Sequence, residues 1–255
     1  MEPSLPEFIY KYVKLDDYFY ELIRNKQLWF PSPKEFNDPF DCKLYLFPGV
    51  INTGWEYGFN IPSLDVEKTD FKLLLKVFDR LIDRENLTEA LQIKLDSCGI
   101  CSFSKDSDNL LLWAHYADCH KGVCIKFRTD ILIETFKIVK PVVYYDDFPI
   151  LDPLKDAQNA INFAPFCKSK HWEYEEEVRI QTERKGLFSF PPEAIEQITF
   201  GLKCKIPSNK FMQSMNDLGY EKVKFMETKQ ARGQYKLYYN EYKQHTQHFS
   251  SHTRK

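Results

Sequence analysis

Glycine is scarce in this chain, with 9 among 255 residues, and neither G-x-G-x-x-G nor G-x-x-x-x-G-K-[ST] occurs. Folds that cradle phosphates in a glycine-rich loop ahead of a helix are therefore disfavoured. An excess of one charge is also missing. The 35 Lys+Arg stand against 37 Asp+Glu, a net of -2, so no global field gathers nucleic acid or anionic lipid, although a local basic groove stays open. No run approaches the roughly 18 apolar residues of a membrane helix. Residues 1–7 have neither the basic nor the apolar region of a secretory signal. Repeats, low-complexity runs and Gly/Ser linkers are absent too. Seven cysteines, an odd number spread from Cys42 to Cys204, read as reduced thiols rather than a disulfide framework. The expectation is a cytoplasmic protein with no membrane partner.

Aromatic rings are what the chain has in excess: 21 Phe, 15 Tyr and 4 Trp make up 16% of it. With 43% hydrophobic and 28% charged residues, the chain can build a large core unaided, and its rings suit either that core or a site that stacks planar ligands.

Alternation and turn signals predict strands over 8–13, 27–30, 99–104, 122–127, 138–145, 178–182, 195–202, 222–226 and 234–239. Helical spacing predicts helices over 18–24, 110–116, near 154–166 and near 208–218. Apolar spacing from about 66 to 96 predicts a helical insertion, placed at 62–97 and broken near Asn86. Strands come in runs and outnumber helices, which predicts an α+β fold with a mostly antiparallel sheet and flanking helices. A single domain over 1–240 and a polar, flexible tail over 241–255 follow.

Three segments concentrate chemistry. In the first, Trp113, His115, Tyr116, Asp118, Cys119 and His120 fall within ten residues. Trp113 and Tyr116 at i and i+3 share a helix face and predict one wall of an aromatic slot, with His115 as a candidate catalytic group. In the second, Lys168 to Arg179, a strand beginning near Glu175 puts Glu175, Glu177 and Arg179 on one face at period two. Paired carboxylates beside a cation suit a site that stabilises positive charge or shares a proton, and Lys168 and Trp172 flank them. The third is the turn-rich stretch 31–41, where Ser32, Asn37, Asp38 and Asp41 are candidates to contact a sugar or a cation. Two metal readings compete. Cys98 and Cys101 have knuckle spacing for zinc with His115, Cys119, His120 or Cys124, but alternation in a strand sends them to opposite faces, so no structural metal is expected. Magnesium requires Asp38 and Asp41 to converge with Glu175 and Glu177. Three of the six histidines, His245, His248 and His252, lie in the polar tail.

Taken in order, Tyr10-Lys11-Tyr12, Leu28-Trp29-Phe30-x-Ser32-Pro33-x-x-Phe36-Asn37-Asp38-Pro39-Phe40-Asp41, Ser102-Phe103-Ser104, Leu112-Trp113-Ala114-His115-Tyr116, His120-Lys121-Gly122 and Lys168-x-x-x-Trp172-x-Tyr174-Glu175-x-Glu177-x-Arg179 resemble the bacterial family of domain of unknown function 2971, over about residues 8–240. In layout the chain is more distantly similar to ADP-ribosyltransferases of the DNA-targeting toxin type, and that resemblance implies a split-sheet arrangement with NAD as substrate. It also implies roles. Lys11 meets the dinucleotide where the usual residue is Arg or His, Tyr116 or Trp113 meets the nicotinamide ring, and Glu177 or Glu175 steadies the oxocarbenium-like centre as nicotinamide leaves. Ser32, Asn37, Asp38, Lys168, Trp172 and Arg179 complete the expected binding set. The leading expectation is an NAD-consuming toxin or defence effector with a nucleic-acid or protein acceptor and an antitoxin or defence-system partner. The alternatives are a non-catalytic sensor that binds a nucleotide or a partner, and a metal-dependent nuclease or phosphodiesterase.

Overall fold

The computed structural model describes residues 4–43, 89–149, 161–205 and 209–242 of the chain. Its first strand, β1 (Phe8–Val13), leads into helix α1 (Asp17–Asn25). The Asp16 side chain opens α1 by accepting from the Phe19 amide, and Lys26, left-handed at φ 54°, closes it. Phe19, Leu22 and Ile23 lie at helical spacing and are fully buried, each contributing about 1.5–3 kcal/mol of apolar burial. Strand β2 (Gln27–Phe30) follows, then a 3-10 turn over Pro33–Glu35.

After the insertion the chain forms β3 (Gly99–Ser104), α2 (Leu110–His115), β4 (Val123–Arg128) and α3 (Thr129–Phe136). Next come β5 (Val139–Pro141), β6 (Val143–Tyr145), β7 (Cys167–Ser169) and β8 (Glu177–Thr182). The last elements are β9 (Gly186–Ser189), β10 (Ile195–Phe200), α4 (Asn209–Asp217), β11 (Lys224–Gln230) and β12 (Leu237–Glu241).

Eight strands make one sheet in the order β12-β11-β10-β4-β1-β3-β8-β5. All neighbours are antiparallel except β10 and β11, which α4 joins in parallel. The α+β class holds. Two small ribbons stand apart from the sheet, β2 with β9 and β6 with β7. The joint between β1 and β3 departs from the rest of the sheet. These strands pair at a single position, Tyr10↔Ser104, whereas β1 pairs with β4 over six positions and β3 with β8 over six. The sheet is continuous but splayed at this seam, and the split arrangement implied by the more distant resemblance is not confirmed.

One face of the sheet carries the main core, in which Ile9, Val13, Cys101, Phe103, Ile125, Val178 and Ile180 pack against α1 residues Phe19, Leu22 and Ile23 and against Leu132 of α3. The other face holds a smaller cluster around Tyr12, Leu112 and Trp113, and a second around Cys42, Leu91, Leu95 and Ile100. Between them lie the polar residues of β3 and β8.

Several expectations need correction. The predicted strand over 138–145 is two strands: β5 pairs with β8, the Val142 amide makes a last bond to the Glu177 carbonyl, and β6 then leaves to pair with β7. Helix α3 and strand β9 have no counterpart in the sequence reading. The last described strand, β12, ends at Glu241. Of the insertion at 62–97 only 89–97 is described, and it is helical; of the helix near 154–166, residues 161–163 are helical and Ala164–Phe166 form a 3-10 turn. The tail beyond 242 and the rest of the insertion, with the break near Asn86, lie outside the described residues. So do His245, His248 and His252.

Candidate active site

The seam between β1 and β3 opens a cavity of about 360 Å³. Tyr10, Lys11 and Tyr12 line it from one side of the seam, and Ser102, Phe103, Ser104, Glu177 and Arg179 from the other. Lys11 reaches across, its Nζ donating to the Ser102 carbonyl at 3.0 Å and lying 5.1 Å from the Phe103 ring centre. Asn37, Asp41, Tyr116, Lys168 and Glu175 complete the lining.

Local structure delivers these groups. Glu175 does not belong to β8; it ends a 3-10 helix over Lys170–Glu175. Glu176 then takes a left-handed conformation, φ 44° and ψ 51°, and its carbonyl accepts from the Lys105 amide at 3.0 Å. This reversal keeps Glu175 and Glu177 on the same cavity although no continuous strand joins them. Asn109 docks the helix opposite. Its Oδ1 caps α2 by accepting from the Leu111 and Leu112 amides, and its Nδ2 donates to the Tyr174 carbonyl at 2.6 Å. Tyr116 is thereby placed with its hydroxyl donating to Glu175 Oε1 at 2.7 Å. Ribbon β6–β7 supplies the third wall, pairing Tyr144 with Lys168. The Tyr144 hydroxyl accepts from the Glu177 amide at 2.7 Å.

The charged groups form one buried cluster. Arg179 is 1% exposed, and all five of its N–H donors have acceptors. Nε and Nη2 bond Glu177 at 2.7 and 2.9 Å. Nη1 and Nη2 bond the two Asp41 oxygens at 2.8 and 2.6 Å, and Nη1 also bonds the Pro165 carbonyl at 2.7 Å. Lys168 bonds Glu175 at 2.5 Å and Glu177 at 3.1 Å. Burial alone would raise the Glu177 carboxyl, but Arg179 and Lys168 outweigh it and hold it down at about 2. Burial would likewise lower the Lys168 ammonium, and Glu177 and Glu175 hold it above its ordinary value. Burial, then Glu175, pushes the Tyr116 hydroxyl up, so it remains a donor.

Acceptor counting separates the two glutamates. A carboxylate offers about four lone-pair positions. Glu177 fills three, with Arg179 Nε, Arg179 Nη2 and Lys168 Nζ, and the nearby Ser102 hydroxyl adds to what holds its carboxyl down. Glu175 fills two, one per oxygen, with Tyr116 and Lys168. Glu175 is therefore the carboxylate that keeps more acceptor positions for a ligand in the cavity, and Glu177 fixes the cations around it.

Of the sequence candidates, Lys11, Asn37, Tyr116, Lys168, Glu175, Glu177 and Arg179 meet in this cavity. Asp38 and Trp172 line a neighbouring one, where Trp172 Nε1 donates to Asp38 Oδ2 at 2.7 Å. Three candidates lie elsewhere. Trp113 is fully buried behind α2, edge-on to Tyr12, with its Nε1 bonded to the Ser107 carbonyl, so it forms no slot with Tyr116. The α2 helix ends at His115 and Tyr116 is its cap, so the shared face expected for Trp113 and Tyr116 is not formed. His115 is exposed against the rings of Tyr116 and Tyr174. Ser32 is a structural cap, its hydroxyl donating to the Asp96 carbonyl and accepting from the Lys34 amide.

The zinc grouping does not assemble, since Cys101 packs in the main core and the Cys98 thiol bonds the Lys94 carbonyl. Among the described residues no group of three or more His, Cys, Asp or Glu is arranged around a metal position. Asp41 does converge with Glu175 and Glu177, but Arg179 and Lys168 sit between them. Sequence reasoning misses the roles of Ser102 and Tyr144, for which alternation in short strands is the available signal.

Among the described residues no helix is long and apolar enough to cross a membrane. Neither the curated proteins nor the solved structures contain a significant match to the chain. Residues 112–180, which carry Tyr116 and the Lys168-to-Arg179 wall of the cavity, match the family described as Protein of unknown function (DUF2971).

Proposed function

We propose that the cavity at the β1–β3 seam binds a nucleotide-type ligand through its ribose and that the chain is a glycosyl-transfer enzyme consuming NAD. The observation that carries this reading is Glu175: a buried carboxylate with two open acceptor positions, held by Tyr116 and Lys168 inside a ring-lined cavity. Those positions suit the vicinal hydroxyls of a ribose. Loss of nicotinamide breaks the C–N glycosidic bond, the bonding pair leaves with nicotinamide, and positive charge develops at the anomeric carbon. A fixed carboxylate nearby lowers the energy of that charge more than that of the ground state. An acceptor nucleophile, or water, then forms the new bond and gives up its proton. Lys11 supplies a cation for the anionic part of the ligand, and the Asp41–Arg179–Glu177 set keeps Lys168 and Glu175 in place. Toxin or defence activity, with a nucleic-acid or protein acceptor and an antitoxin or defence-system partner, belongs to the same proposal.

The test is release of free nicotinamide from NAD by purified protein, alone and with DNA, RNA or lysate, read by mass spectrometry. Release abolished in Glu175→Gln, with the melting temperature retained, is the expected result. Undiminished release in that variant removes Glu175 from the chemistry.

A second reading, a non-catalytic nucleotide sensor, is favoured by one observation: Glu177 and Lys168 are both pushed away from neutrality rather than toward it, unlike groups poised for proton transfer. It requires saturable NAD binding without any product.

A further inference from the structure

The cavity at the seam adjoins a second one of about 680 Å³. Both are lined by Asn37 and Lys168, and the ribbon β6–β7 is the partition between them. Tyr145, Cys167 and Ser169 of that ribbon face the larger cavity, while its Lys168 ammonium meets Glu175 and Glu177 on the other side. The two spaces differ in chemistry. The smaller holds the buried cluster of Asp41, Lys168, Glu175, Glu177 and Arg179 beside its rings; the larger is lined by Phe40, Tyr145, Phe148 and Trp172, with charged side chains that include Asp38 and Lys43.

Size distinguishes them as well. Small-molecule sites run from roughly 300 to 1,000 Å³, and 360 Å³ stands at the lower end. A space of that size suits a mononucleotide, and the remainder of a dinucleotide would extend beyond it. The larger cavity is where the lining allows it to continue. Phe40 and Phe148, with centroids 6.4 Å apart and planes tilted by 42°, are exposed on its rim. Trp172 is held across from them, its indole N–H on Asp38 and Lys168 Nζ 4.9 Å from its ring centre. Exposed rings beside a fixed indole form a surface on which a nucleobase stacks.

We infer that the two cavities form one bipartite site, in which the larger takes the adenosine half of a dinucleotide while the smaller takes the ribosyl half to be cleaved. Asn37 and Lys168 then stand where the connecting phosphates cross. The inference rests on the NAD-consuming reading for the identity of the smaller half, and its test separates the two.

Binding of three probes, NAD, nicotinamide mononucleotide and AMP, is measured by calorimetry on the full chain and on the double variant Phe40→Ala/Phe148→Ala. Both side chains are exposed, so the variant retains the fold, which its melting temperature checks. Loss of a base–aromatic stack weakens NAD and AMP by about ten-fold, with nicotinamide mononucleotide unchanged; that pattern supports the inference. NAD binding and cleavage that are indifferent to the double variant overturn it and leave the NAD reading standing. Should neither NAD nor nicotinamide mononucleotide bind, the NAD reading fails and AMP decides. AMP binding lost in the double variant supports the nucleoside site by itself, and AMP that fails to bind, or binds equally to both proteins, overturns it.

Discussion

Two arginine–carboxylate pairs in this molecule share a sequence spacing and nearly a geometry, and differ in everything that follows. Arg128 and Asp130 are two residues apart and meet through two hydrogen bonds, at 3.3 and 2.7 Å. Glu177 and Arg179 are also two residues apart and meet through two, at 2.7 and 2.9 Å. The first pair is open to solvent, with side-chain exposures of 43% and 61%; the second is at 1% and 4%. Water already satisfies the charges of the first, so their contact adds little. Around the second no water substitutes for a lost partner, and each charge depends on the others. Burial rather than pairing makes one of them part of a site.

The largest break in this comparison is Arg179→Leu, which leaves three buried carboxylates, Asp41, Glu175 and Glu177, with Lys168 as the one cation of the cluster. A loss of about 3–5 kcal/mol is expected from the denaturant midpoint. Acid comes next. The Glu177 carboxyl lies at about 2 in the folded chain against an ordinary 4.5. This depressed value contributes stability that is fully present above pH 4.5 and is lost as the pH falls through 2. The contribution is on the order of 3 kcal/mol. Glu177→Gln flattens that part of the acid-unfolding profile, and an unchanged profile would show that Glu177 is not the titrating group. Tyr116→Phe is a graded case, because Tyr116 is half-buried and donates to a charged acceptor. It costs about 1.5 kcal/mol, and under the proposed function it also slows nicotinamide release. Arg128→Ala gives the smallest effect: no resolvable change in melting temperature, at low or high salt. A salt-dependent loss there would place the surface pair on the same footing as the buried one.

Much of the fold is legible in the residues because most elements carry their own signals. Asp16 and Asp17 mark the start of α1, alternation marks β1, β3, β4 and β8, and the Pro-rich stretch 31–41 reads as turn. Helix α3 is missed because Thr129–Phe136 is β-branched and apolar, TDILIETF, and its burial against the sheet rather than its propensity decides the outcome. Strand β9 is missed because its partner β2 lies far away in sequence. For the site, the period-two reading of Glu175, Glu177 and Arg179 reaches the right grouping through the wrong local structure. A 3-10 helix and the left-handed Glu176 do what a strand was expected to do. Trp113 and His115 look equally rich in sequence, but whether a ring joins a cavity depends on which way a short helix turns, and α2 turns Trp113 into the core.

The turn after α2 shows how backbone rather than side chain can account for a dense segment. Asp118, Cys119 and His120 are consecutive left-handed residues, at φ 46°, 52° and 68°, a conformation that L residues adopt at a cost of roughly 1–2 kcal/mol each. The turn delivers Gly122 against the Val13 carbonyl, where a Cβ would stand at 2.2 Å. Its Asp, Cys and His are therefore explained by chain reversal into β4.

The pairing of Arg179 with Asp41 spans 138 residues. The entropy of closing so long a loop grows only with the logarithm of its length, but it has to be met before the contact stabilises anything. Glu177 and Arg179 come together as soon as β8 is extended; Asp41 joins only when the chain between them has been folded back onto β8. A chain caught before that step carries one cation and one carboxylate where the finished molecule has a network, so the candidate cavity is expected to be among the last parts to mature. In pulse-labelled refolding, protection of the β3 and β8 amides should precede protection of the 38–42 turn, making the candidate site a report on completed folding.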